Sequence, residues 1–178
     1  MYFLRDYQNY RTQTRGCVAT IGNFDGIHLG HQHMINEVKN TAKRNSLPSV
    51  IITFEPLPKE FLQTDNMLDR LLTLKEKLLI LKRINVDTIL CLRFNNELAD
   101  MSSEDFIKEI LVKKINAKHL IVGDDFHFGK NRTGNTQLLH DASKIYDFKL
   151  TQISTYEIDD DRVSSSRIRK LLKDGDII

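Results

Sequence analysis

Five short apolar runs, at 17–22, 49–54, 87–92, 119–123 and 149–154, recur along this chain, and the intervals between them carry helical periodicity at 31–45, 69–84, 103–115 and 136–146. Runs of this length without polar alternation suit strands buried on both faces, and the intervening pattern suits amphipathic helices. The interval from 103 opens on Ser102-Ser103-Glu104-Asp105, in which Ser102 and Asp105 have capping-box spacing, with Asp in the place of Glu or Gln. Strand–helix alternation predicts an α/β fold: a parallel five-stranded sheet, with room for small extra strands, flanked by helices through right-handed crossovers. Ligands in such sheets bind beyond the carboxyl ends of the strands. The segments that follow each run are therefore where function is to be sought.

After the first run comes Gly22-Asn23-Phe24-Asp25-Gly26-Ile27-His28-Leu29-Gly30-His31, and beyond it Met34, Ile35, Val38 and Ala42 fall at helical spacing. A strand that turns into a helix presents unpaired N–H groups at the helix start, which is an anion seat. Two imidazoles at its mouth can donate to phosphate oxygens, and Gly30 removes a side chain that would block the approach. Taken singly, each part has an ordinary reading. The glycine-rich segment is equally a plain turn, and two histidines three apart also suggest a metal site, although no third ligand stands nearby in a recognisable spacing. No metal ligand is assigned.

The second run leads into Thr53-Phe54-Glu55-Pro56-Leu57-Pro58, a loop stiffened by two prolines. The fourth leads into Gly123-Asp124-Asp125-Phe126-His127-Phe128-Gly129-Lys130-Asn131-Arg132-Thr133-Gly134-Asn135. That segment misses the P-loop pattern, since five residues separate its first two glycines and Asn131 stands where Ser or Thr belongs. Its glycines, Lys130 and Arg132 fit a flap over a phosphate or nucleotide, or a surface loop. Beyond the fifth run lies Arg162-Val163-Ser164-Ser165-Ser166-Arg167-Ile168-Arg169, followed by a short amphipathic pattern through Leu171 and Leu172. Serines there cap a helix, and hydroxyls with free N–H groups also hold anions; the flanking Arg162 and Arg169 suit forked contact with phosphate. Asp159-Asp160-Asp161 reads as a solvated turn rather than a cation site.

Composition narrows the classes. The 178 residues suit one domain with a sizeable core, and a net charge of +2 gives no basic field for nucleic acid. Cys17 and Cys91 lie in separate apolar runs and read as reduced core residues. No signal peptide or membrane-length apolar stretch is visible, so a cytoplasmic location is expected, with neither nucleic acid nor membrane as partner.

With these residues in view, the chain resembles the adenylyltransferase module of bacterial FAD synthetases, the bifunctional riboflavin kinase/FMN adenylyltransferases. The resemblance rests on Ile21–His31, Thr53–Pro58, Leu120–Gly129 with Arg132–Asn135, and Val163–Arg169, with weaker similarity at 71–77 and 103–107. It implies a Rossmann-like nucleotidyltransferase fold and the reaction ATP + FMN → FAD + pyrophosphate with Mg²⁺. Carried onto this chain, His28 and His31 would hold the triphosphate and stabilise the α-phosphorus, with Ser165 and Arg169 as further catalytic residues. Gly22, Asn23, Phe24, Asp25, Gly30, Gly123, Asp125, Arg162, Ser164 and Ser166 would bind ATP. Phe54, Pro56, Phe126, Phe128 and Asn135 would shape the flavin pocket.

Two departures stand out. His127 occupies a position where family members often carry Arg, and Ser166 one where Thr is usual. The sequence also ends at Gly175-Asp176-Ile177-Ile178, about where the family passes into its riboflavin kinase module, whose Pro-Thr-Ala-Asn motif is absent. The sequence is then either an excised module or a single-domain relative; residues 1–178 are expected to form a single adenylyltransferase domain that does not phosphorylate riboflavin, with a riboflavin kinase module missing from this chain as a candidate partner. The alternatives are a transferase of the same His-x-Gly-His type with another phosphate acceptor, and a non-catalytic nucleotide- or flavin-binding module.

Overall fold

A computed structural model of the chain describes residues 1–62, 69–159 and 161–176. The five predicted strands are all present: β2 (Cys17–Ile21), β3 (Ser49–Glu55), β4 (Thr88–Arg93), β5 (Ala117–Gly123) and β6 (Lys149–Ile153). A sixth, β1 (Tyr2–Arg5), pairs in parallel with β4 at one edge, giving the order β1-β4-β3-β2-β5-β6. Every pairing in this sheet is parallel. From β2 the chain winds outward to β3 and β4, then returns to the other side for β5 and β6. The direction of winding therefore reverses between β2 and β5, and that is where a parallel α/β sheet opens a crevice at its carboxyl edge.

Both faces of the central strands are apolar, and period-two alternation divides them between two cores. Val18, Ile51, Ile89 and Ile121 pack with Ile35 and Val38 of α1 (Leu29–Asn45) and Leu81 of α3 (Leu74–Ile84). Cys17, Ala19, Ile21, Val50, Ile52 and Leu120 pack against Phe106, Ile107, Ile110 and Leu139 on the opposite face. Those last residues come from Phe106–Lys114, which continues the short α5 (Ser103–Asp105), and from α6 (Thr136–Tyr146). Ser102 caps α5 by accepting from the Asp105 N–H at 3.0 Å, as its spacing predicts. Over Phe106–Lys114 the helix loosens to i→i+5 bonding, as in Ile115 N–H to Ile110 O at 2.9 Å.

The helix expected from 69 begins only at Leu74. Thr73 caps it in a reciprocal box with Glu76. Residues 69–73 stay outside the helix, with the Leu71 and Leu72 N–H groups spent on the Asp25 carboxylate. Short helices α2 (Pro58–Leu62) and α4 (Asn96–Asp100) and a hairpin, β7 (Glu157–Ile158) with β8 (Asp161–Arg162), add to the expected elements. The amphipathic stretch after the serines is α7 (Ser165–Asp174). Among the described residues, no helix is long and apolar enough to cross a membrane.

Candidate active site

The turn between β2 and α1 is held in conformations that side chains avoid. Phe24 (φ 47°), Gly26 (φ 83°) and Ile27 (φ 38°) all have positive φ, and for a β-branched residue that is strain. The burial of Phe24 and Ile27 holds it in place. The result aims the start of α1 at the crevice. His28 is the cap: its Nδ1 accepts from the His31 N–H at 3.4 Å, so in the neutral ring the proton sits on Nε2 and remains available as a donor. The two imidazoles stack with centroids 3.7 Å apart, and Phe24 braces His31 from behind at 5.2 Å.

Burial drives the His31 pKa down to about 3, with the neighbouring His28 ring and the Lys77 ammonium adding to the shift. His28 is lowered for the same first reason and also feels Arg162. Both rings are therefore neutral hydrogen-bond donors at physiological pH, and His31 Nδ1 has no partner among the described residues. A Cβ at residue 30 would come within 3.3 Å of His28 Nδ1 and 3.2 Å of Tyr156 Cβ, so Gly30 keeps the passage between them open.

The second wall of the crevice is α7. Ser164 caps it by accepting from the Arg167 N–H, and the Ser165 hydroxyl donates to Asp25 O at 2.8 Å. Arg169 pairs with the Asp25 carboxylate, which is only 2% exposed, and also donates to Asp69 O at 2.6 Å. Asp25 thus accepts from Arg169, Leu71 and Leu72 at once and fastens three distant segments together. On the third side, Arg162 pairs with Asp125, and Asp124 accepts from the Thr155 N–H at 3.2 Å and its hydroxyl at 3.1 Å.

Two clefts result. A polar one of about 290 Å³ is lined by Asn23, His28, His31, Gly123, Asp125 and Arg162, with Asp25, Gly30, Ser164, Ser165, Ser166 and Arg169 completing its wall. A larger one of about 760 Å³ is walled by Phe54, Phe61, Phe94, Phe126 and Phe128. Phe126 and Phe128 stack at 5.4 Å, and Phe94 meets Phe54 and Phe61 edge-on. Asn23, Lys59 and Asp125 border both clefts, so the two meet along one seam.

Most residues singled out from the sequence come together here, but four stand elsewhere than expected. Phe24 is fully buried and props His31 rather than touching the cleft. Gly22 lines the aromatic cleft, not the polar one. Pro56 lines neither cleft, because the chain turns out of β3 there and offers Leu57, Pro58 and Lys59 instead. Asn135 also lines neither, since its side-chain oxygen is used to cap α6, accepting from the Leu138 N–H at 2.9 Å. Asp25 borders the polar cleft with its carboxylate already committed.

Lys77 went unread in the sequence. It is 1% exposed, and its ammonium donates to Asn23 O at 2.7 Å and reaches Thr53 Oγ1 at 3.4 Å. Burial lowers its pKa, and Asp25 opposes that. The available signal was its place one turn before Leu81 on the buried face of α3. Arg70 was missed as well; it bridges Glu55 and Glu60 beneath α2.

The FAD synthetase family model matches residues 10–167. Over 178 residues the chain is 39% identical to a bifunctional riboflavin kinase/FMN adenylyltransferase of Buchnera aphidicola subsp. Schizaphis graminum, covering 99% of this chain and 57% of that protein. The enzyme of the same description from Escherichia coli K12 is 40% identical over 162 residues, or 91% of this chain and 52% of that one. The chain thus spans a little over half the length of these relatives. Among solved structures, a Streptococcus pneumoniae protein described as a macrolide-efflux protein superposes with a TM-score of 0.84 at 27% identity, over 99% of this chain and 58% of that one. A pantoate-β-alanine ligase from Francisella tularensis shares the fold alone, with a TM-score of 0.63 at 12% identity, over 95% of this chain and 73% of that one. The family model spans most of the chain and the relatives it resembles carry the matching description: this chain belongs to the FAD synthetase family.

Proposed function

We propose that residues 1–178 form one FMN adenylyltransferase domain, which transfers AMP from ATP to the phosphate of FMN and releases pyrophosphate. The observation that carries this reading is the seam at which a polar, imidazole-lined cleft meets an aromatic one. A triphosphate fits the first, where His28, His31, the start of α1 and the serines of α7 supply donors. A planar isoalloxazine fits the second, between Phe54 and Phe126. The acceptor phosphate then lies at the seam, facing the α-phosphorus.

An FMN phosphate oxygen attacks that phosphorus, and the bond to the bridging oxygen of the β-phosphate breaks, with pyrophosphate leaving with the electron pair. FMN phosphate is already ionised near neutral pH, so no general base is needed. Catalysis rests on placement and on neutralising charge. Neutral imidazoles suit this work, since each N–H donates to a phosphate oxygen whose charge grows during transfer. The carboxylates in the polar wall are engaged: Asp25 with Arg169, Asp125 with Arg162, and Asp124 with Thr155. No three His, Cys, Asp or Glu side chains converge on a metal position among the described residues. This donor set fits a Mg²⁺ carried by triphosphate oxygens and water; Asp124 and Asp125 are the exposed carboxylates of that wall that would face such an ion, which would supply further charge neutralisation.

The aromatic cleft favours FMN over a non-aromatic acceptor. The test is FAD formation from ATP and FMN, followed by loss of flavin fluorescence and release of pyrophosphate. His28→Ala and His31→Ala should each reduce turnover about a hundred- to a thousandfold, the effect of removing one such donor. Turnover within threefold of the parent in both variants contradicts the assignment.

A further inference from the structure

We propose that Lys59 is the cation that receives the phosphate monoester of the acceptor at the seam between the two clefts; this deepens, and rests on, the adenylyl-transfer reading. Among the described residues Lys59 is the one cation that borders both clefts. The other cations nearby are committed or lie to one side. Arg162 is paired with Asp125, Arg169 with Asp25, and Lys130 with Asp100 at 2.9 Å. Arg132 borders the aromatic cleft only.

The structure also explains why Lys59 stays available. The carboxylates nearest to it along the chain are Glu55 and Glu60, and Arg70 takes both, at 3.0 Å from Glu55. Glu60 additionally accepts the Leu57 N–H at 2.9 Å. These bonds fix the short α2 helix against the end of β3 and leave the exposed Lys59 ammonium without a carboxylate partner among the described residues. Opposite, Asn23 turns its carbonyl inward onto Lys77 and Thr53, which leaves its side chain at the seam. Of the two charged residues that border both clefts, Asp125 is balanced by its Arg162 partner, which leaves Lys59 as the uncompensated charge of the seam. A phosphate dianion brought against a triphosphate meets strong repulsion, and an ammonium on a fixed mount offsets it. Lys59 therefore distinguishes the phosphorylated flavin from the dephosphorylated one.

The test compares FMN with riboflavin, which share the ring and differ in the phosphate. Dissociation constants are read from flavin fluorescence on the full chain, and KM values from FAD formation. Lys59→Ala is expected to weaken FMN binding about tenfold, the size of one charge-assisted contact in a partly solvated site. Riboflavin binding should stay within twofold, and Lys59→Arg should restore most of the loss. Equal weakening of both flavins, or unchanged FMN binding, overturns the proposal. So does an FMN-selective loss in Arg132→Ala with none in Lys59→Ala. A parent protein that binds FMN selectively through Lys59 but forms no FAD refutes the catalytic reading and leaves this one standing.

Discussion

Replacing Asp25 by Asn preserves shape and one acceptor oxygen for the Leu71 and Leu72 N–H groups, and removes only the charge. What remains is Arg169, 15% exposed, and the almost fully buried Lys77, both facing a neutral amide whose NH₂ is itself a donor. Breaking a buried ion pair from one side costs about 3–5 kcal/mol, because the surviving charge stays desolvated. Arg169 keeps its bond to Asp69 O and some contact with water, which places the loss near 3 kcal/mol. For a domain of this size 1 kcal/mol moves the melting temperature by roughly 2–4 °C, so Asp25→Asn should melt about 6–12 °C below the parent. Differential scanning calorimetry measures this directly. A cycle with Arg169→Gln then isolates the pair, and its coupling should exceed about 1 kcal/mol. A fall of less than about 2 °C, or purely additive losses, would show that Asp25 does not fasten α7 and the 69–73 segment.

Acid should act on the paired imidazoles. The folded state holds His31 near pKa 3 against an ordinary value of 6.5, so between these pH values the unfolded chain binds the extra proton. Stability therefore rises with pH through that window and is lost as pH falls from 6.5; His28 contributes with the same sign. His31→Gln should lose less melting temperature than the parent between pH 7 and about pH 4.5, and an equal or larger loss contradicts the burial of a neutral ring. Gly129→Ala tests the aromatic wall. Gly129 has φ 72° and ψ 177°, and an added Cβ would come within 2.8 Å of the Ser103 backbone. Such a conformation is essentially reserved for glycine, so a loss of about 1–3 kcal/mol or more is expected in thermal melts, together with weaker flavin binding. A variant as stable as the parent refutes that packing.

The central strands could be read from the sequence because a strand buried on both faces is an unbroken apolar run, as Val50-Ile51-Ile52 shows. β1 could not, since Tyr2–Arg5 is short and largely exposed and is defined by its partner β4. The start of α3 was misplaced for a related reason. Leu71 and Leu72 continue the helical pattern, but their N–H groups belong to a carboxylate 46 and 47 residues earlier. The helix starts that bring His28, His31 and the serines to the polar cleft were legible because strand-to-helix turns and capping serines are local in sequence. Asn135 caps α6, a use that sequence does not separate from ligand binding because both draw on the same side chain. Lys77 escaped because a lysine reads as solvated until its neighbours in space are known.

The bonds around Asp25 also set an order in time. Leu71 and Leu72 emerge soon after it during synthesis, but Arg169 lies 144 residues further on. At about 5–20 residues per second that gap lasts roughly 7–29 s. Through this interval a growing chain carries the β2–α1 turn with its carboxylate lacking the guanidinium that balances it. The sheet can gather strand by strand on the ribosome, whereas the polar cleft closes only when α7 arrives. Nascent chains cut before residue 169 should therefore hold a sheet but not a nucleotide.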